Sequence, residues 1–200
     1  THIPAPVEGT TPRVLTRKKD IEQVHICLAF PGVEQDDEDL YPISVMNNLF
    51  GGGMSSRLFQ RIREEMGAAD SVYSFPSTYT NCGTFTVYAG TSPETAQQVA
   101  DELHNQIRLL RDGGVTQEEF DMAKEQLKVS YVLGLESSSA RMSAIGRSKL
   151  LRGHAVDPQD VIRKIEAVTK EDVERVAHRM FGRPFSASAV GRNIDGLKLL

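Results

Sequence analysis

The hydrophobic period of this chain switches from two to about 3.6 and back in a fixed order, and that order constrains the fold more than any single residue does. Val24, Ile26, Leu28 and Phe30 alternate with His25, Cys27 and Ala29 until Pro31-Gly32, the pattern of a strand with one face on a core. The acidic run Glu34 to Asp39 then opens a helix at its positive end, with Leu40, Ile43, Met46, Asn47 and Phe50 at helical spacing. Gly51-Gly52-Gly53 stops it. A second helix is expected from Ser55 to Met66, with Leu58, Phe59 and Ile62 on one face and Gly67 as its C-cap. Val72 to Tyr79 and Thr84 to Ala89 are rich in aromatic and β-branched residues and flank Thr80-Asn81-Cys82-Gly83, which predicts an antiparallel hairpin.

From here the period is helical. Ser92-Pro93 predicts a helix start, and Ala96, Val99, Ala100, Leu103, Ile107 and Leu110 carry the apolar stripe to Gly113-Gly114. Thr116-x-x-Glu119 is a capping box for a helix reaching Leu135, with Phe120, Ala123, Leu127 and Tyr131 as its buried stripe. Further helices are expected over Ser137 to Leu151, over Pro158 to Ala167 behind Asp157, and over Lys170 to Phe181 behind Thr169. Ser186 to Val190 reads as a closing strand. Strands and helices are segregated, so the expected class is α+β, a mainly antiparallel sheet with helices packed on one face. Prolines 4, 6 and 12 disfavour regular structure, so residues 1–13 read as an interdomain linker and residues 14–200 as one domain.

Composition removes several function classes. The chain of 200 residues is 40% hydrophobic and 25% charged, ordinary for a soluble globular protein, and holds no apolar run near the roughly 20 residues that span a bilayer. A cytoplasmic protein without a membrane partner is expected. The net charge of −4, with lysines and arginines dispersed along helices, gives no field for nucleic acid. Cys27 and Cys82 fit two buried thiols better than a zinc ribbon or a disulfide. The histidines 2, 25, 104, 154 and 178 have no H-x-x-E-H or H-E-x-x-H spacing, so no metal ligand is assigned here. No G-x-S-x-G elbow is present. Gly51, Gly52 and Gly53 can present backbone N–H groups to a peptide carbonyl, against the plainer reading of a tight turn. Arg63, near the end of its helix, reads on its own as a solvated arginine favoured by the macrodipole.

The stretch GGGMSSRLFQRIREEMGAADSVYSF, residues 51–75, resembles the zinc peptidases that include pitrilysin, insulin-degrading enzyme and mitochondrial processing peptidase, most closely their bacterial processing proteases. The likeness runs more loosely from Gln23 through GTSPETAQQVADEL, DGGVTQEEFDMAKEQLK and VTKEDVERVAHRMF to the C-terminus. It implies two similar α+β halves closing like a clamshell, with zinc and a glutamate base held by H-x-x-E-H in the N-terminal half. This chain resembles the other half, so zinc is expected on the partner and not here. The implied partners are that N-terminal half or a companion subunit, a peptide substrate and, as a further option, a second copy of the chain.

The resemblance also implies roles. Arg63 matches an arginine that projects toward the scissile carbonyl, and the Gly51 to Ser55 loop, Asp70 and Tyr73 become substrate-binding candidates. Asp70 stands where the family has a tyrosine. Either it pairs with Arg63, or Tyr73 takes over the phenol's role. The expected function is the C-terminal domain of a zinc-dependent endopeptidase that orients peptide opposite the zinc site. The alternatives are an inactive binding or structural subunit of the same family, and an unrelated α+β ligand-binding domain.

Overall fold

The computed structural model describes residues 11–200, so most of the expected linker lies outside the described residues; 11–13 have no regular structure. In chain order the elements are β1 (Val14–Lys18), β2 (Val24–Pro31), α1 (Leu40–Phe50), a π-helical segment (Phe59–Glu65), β3 (Ala69–Thr78), β4 (Gly83–Thr91), α2 (Ala96–Gly113), α3 (Gln117–Gly134), α4 (Ser138–Arg152), α5 (Pro158–Ala167), α6 (Lys170–Phe181) and β5 (Ser186–Gly191). The five strands form one sheet in the order β1-β5-β2-β4-β3. Only β1 and β5 run parallel; every other pair is antiparallel.

Period two decides which face is covered. On β2, Val24, Ile26, Leu28 and Phe30 are at most 1% exposed, as are Phe85, Val87 and Ala89 across on β4. Helices α1, α2 and α6 pack on that face. Phe181 of α6 is the hub, with ring centroids 5.0 Å from Phe30, 5.5 Å from Phe50 and 5.8 Å from Phe85. The start of α1 is pinned to α6 by Asp39, 1% exposed, whose carboxylate lies 2.7 Å from Arg175 and 2.6 Å from Arg179. A buried carboxylate is tolerable only with such partners. Helix α3 lies outside α1, against α5. Helix α4 is peripheral, tied to the loop before α1 by Arg152, which meets Asp36 at 2.7 Å and donates to the Gln35 carbonyl.

The α+β architecture agrees with the sequence reading, and the capping boxes at Thr116/Glu119 and Thr169/Asp172 both form. Four local expectations need correction. Strand β1 was not anticipated, because all five of its side chains are exposed and leave no alternation to read. Helix α2 begins at Ala96 rather than Pro93; Ser92 to Thr95 form a turn, closed by Thr95 N–H on the Ser92 carbonyl and anchored by Thr95 Oγ1 on the Ala68 carbonyl. The stripe on α3 stops early. Phe120 and Ala123 are buried, whereas Leu127 and Tyr131 are only partly covered because the helix outruns the core.

The fourth is the helix expected from Ser55. Helical turns start at Arg57, and over Phe59–Glu65 the bonding is π: Met66 N–H reaches back five residues to the Arg61 carbonyl at 3.1 Å. Gly67 at φ +57° then turns the chain, and Ala68 N–H closes on the Ile62 carbonyl at 3.0 Å.

Candidate functional site

Close packing, more than chain freedom, shapes the segment from Gly51 to Glu65. Gly51 is buried; its carbonyl accepts from Ser74 N–H on β3 at 3.0 Å, and a Cβ there would stand 2.5 Å from the same nitrogen. Only glycine allows the end of α1 this close to the sheet edge. A Cβ at Gly52 would meet Asn48 Cα at 2.8 Å, whereas one at Gly53 would meet open space. Ser55 is turned to α3, its hydroxyl 3.0 and 3.2 Å from the two amide atoms of Gln126. Asn48 donates to the Ala123 carbonyl beside it.

Three arginines follow. Arg57 grips Glu119 with Nε and Nη2 at 2.6 and 2.8 Å and donates to the Gly114 carbonyl at 3.0 Å. This guanidinium, aided by the Thr116 cap, holds the Glu119 carboxyl down at about 2. Arg61 is neutralised by Glu65 at 2.8 Å and Glu102 at 3.1 Å. Arg63 is exposed, lies 5.0 Å over the Phe59 ring, and joins no ion pair among the described residues.

Asp70 and Tyr73 belong to a different neighbourhood, the sheet face opposite the helices. Asp70 sits at an irregularity between Ala69 and Ser71 and accepts from Gln23 Nε2 at 2.7 Å, so its partner is Gln23 and not Arg63. Tyr73, 44% exposed, packs 4.8 Å from Tyr88 and 5.9 Å from Phe75. The Tyr88 hydroxyl is 2.7 Å from His25 Nδ1, and burial raises its pKa. Gly90 makes this convergence possible. A Cβ there would lie 2.8 Å from Ser71 Oγ, 3.0 Å from the Tyr88 hydroxyl and 3.4 Å from Gln23 Oε1. Sequence reasoning missed Gln23, His25, Ser71, Tyr88 and Gly90. The signal was available in β2, whose off-core positions include a histidine and a thiol instead of ordinary solvent-facing charges.

The candidates therefore fall into three groups: Gly51, Gly52, Gly53 and Ser55, held against β3 and α3; Arg63 alone; and Asp70 with Tyr73 on the uncovered face. Among the described residues no three histidine, cysteine or acidic side chains are grouped to hold a metal. His104 is bonded to the Leu199 carbonyl and His154 to that of Arg152, while His25 is taken by Tyr88. None of these three histidines joins a metal-ligand cluster among the described residues. Among the described residues no helix is long and apolar enough to cross a membrane.

Comparison with known proteins bears on the family and the fold. The family profile described as "Peptidase M16 inactive domain" matches residues 1–127. An uncharacterized zinc protease of Bacillus subtilis is 40% identical over 176 residues, 88% of this chain and 43% of its own length. One of Streptomyces coelicolor is 41% identical over 170 residues, 85% of this chain and 37% of its own. Among solved structures, a peptidase M16 inactive domain from Pseudomonas fluorescens superposes with a TM-score of 0.82 at 22% identity, covering 94% of this chain and 46% of that one. A protease from Helicobacter pylori gives 0.83 at 21%, covering 95% and 48%. At that identity the two structures speak for the fold alone. The chain spans less than half the length of these relatives.

Proposed function

The chain belongs to the peptidase M16 family as its inactive, C-terminal domain, and from that premise we propose that it forms the far wall of a zinc endopeptidase of the processing-protease kind. Its relatives are named zinc proteases. In this reading zinc and the general base sit on an N-terminal half, in the same or a companion chain, and this domain orients the peptide. The observation that carries it is the contrast within one segment: Arg57 and Arg61 are neutralised by carboxylates, and Arg63 is left with its charge free and exposed. A guanidinium held ready is suited to a peptide carbonyl on which negative charge builds, and removing one such donor costs roughly 10²–10³ in rate. The loop at Gly53 and the uncovered face with Asp70 and Tyr73 supply further contacts to an extended chain. Closing the halves over the peptide excludes bulk water.

The test combines this chain with an H-x-x-E-H-bearing half and zinc. Peptide cleavage should exceed that of the zinc half alone, and no gain would sink the proposal. A second reading, a binding or structural subunit without catalytic contribution, is favoured by Asp70: a carboxylate accepts hydrogen bonds where the family's tyrosine donates, and this one is already engaged by Gln23. Under that reading Arg63→Ala leaves the reconstituted rate unchanged.

A further inference from the structure

The uncovered face of the sheet holds a second feature, at the end away from Asp70. Arg13, Leu15, Cys27, Ala29, Ser186 and Ser188 line an open, mainly apolar groove of about 470 Å³ where β1, β5 and β2 meet. Register explains the grouping. Leu15 is level with Ser188, and Cys27 with Ser188 on one side and Tyr88 on the other, so all point away from the helices. Leu15 is 64% exposed and contributes nothing to the core. Arg13 and Arg17 flank it at two residues on either side, on the same face. Both are exposed, and neither joins an ion pair among the described residues, whereas Lys18, on the opposite face of β1, is paired with Asp195. An apolar slot bracketed by two unpaired cations complements an apolar side chain flanked by carboxylates.

We propose that this groove is an anchoring subsite for an extended peptide carrying an aliphatic residue beside acidic ones. The peptide as occupant rests on the function proposed above. The Tyr88–Tyr73 pair connects the groove to Asp70 across the same face. From β5, on which the groove is centred, to β3 is three interstrand steps, about 14 Å, a span of about four extended residues. The anchor thus selects substrates by a side chain about four positions from the residue held over β3.

Both thiols are half-buried rather than buried as expected from the sequence, so Cys27 gives the test a built-in reporter, and Cys82, at the β3–β4 turn, a control. The intact chain, without any zinc half, is titrated with an acetylated, amidated hexapeptide carrying leucine between two glutamates, and alkylation of each thiol by iodoacetamide is followed by mass spectrometry. Saturating peptide should slow Cys27 at least about five-fold and leave Cys82 unchanged, with matching shifts of the Ser186 and Ser188 amide resonances. An Arg13→Gln/Arg17→Gln double variant should lose the effect while keeping its melting temperature. The proposal is overturned by equal protection from a peptide with lysines in place of the glutamates, by no amide shifts, or by protection that grows with protein concentration alone, which would assign the face to a second copy. Because no cleavage is measured, failure here is distinct from failure of the reconstitution.

Discussion

Arg57 and Arg63 stand six residues apart on one helical segment, yet Arg57 is locked to Glu119 and a backbone carbonyl of the α2–α3 turn while Arg63 lies over the ring of Phe59 and joins no ion pair among the described residues. The first region is architecture: it ties the segment after α1 to the start of α3. The second carries charge that the fold itself does not use. Under the role proposed for Arg63, stability and function are separable within a few residues, and substitutions can break or sharpen that separation.

The largest effect expected is on rate. Arg63→Ala in the reconstituted pair should lower cleavage by about 10²–10³-fold while the melting temperature of the isolated chain stays within about 1 °C, because an exposed arginine over one ring adds little to stability. Arg57→Ala should do the reverse. It leaves the Glu119 carboxylate without its cation, a loss of about 2–4 kcal/mol once partial exposure is discounted, read as a melting temperature about 5–10 °C lower with cleavage preserved at temperatures where the domain stays folded.

Acid sharpens the same contrast. Because folding lowers the Glu119 carboxyl from 4.5 to about 2, its ion pair stabilises the folded state fully above pH 4.5 and that contribution disappears as pH falls through about 2. Discounted for the partial exposure of the pair, the difference is about 1–3 kcal/mol. Urea midpoints measured between pH 5 and pH 2 should fall steeply in the parent chain and less so in Arg57→Ala. Smallest is the glycine pair. Gly51→Ala forces a Cβ into the β3 backbone and should cost about 1–3 kcal/mol, whereas Gly53→Ala, facing open space, should stay within about 0.5 kcal/mol in the same urea titration.

What the sequence made legible is what local rules control. The alternation in β2 and the caps at Thr116, Asp157 and Thr169 involve residues a few positions apart, and each appears in the structure. The π register is not local. It forms where Arg57 and Arg61 are held by Glu119 and Glu102, partners 62 and 41 residues distant. Strand β1 exists because β5 pairs with it, and its exposed side chains carry no trace of that pairing. The site was legible unevenly. Arg63, Asp70 and Tyr73 lie within the motif that resembles the peptidases, whereas Gln23, His25 and Tyr88 are brought beside Asp70 and Tyr73 by sheet register, which no single segment encodes.

That sheet has its last strand in an inner position: β5 lies between β1 and β2, so residues 14–18 and 24–31 meet only through residues 186–191. On a ribosome, β1 would wait for nearly the whole domain to emerge before gaining a neighbour, and β2 would keep one bare edge as long. Truncation upstream of Ser186 would therefore remove the wedge that joins two otherwise separate pieces of sheet.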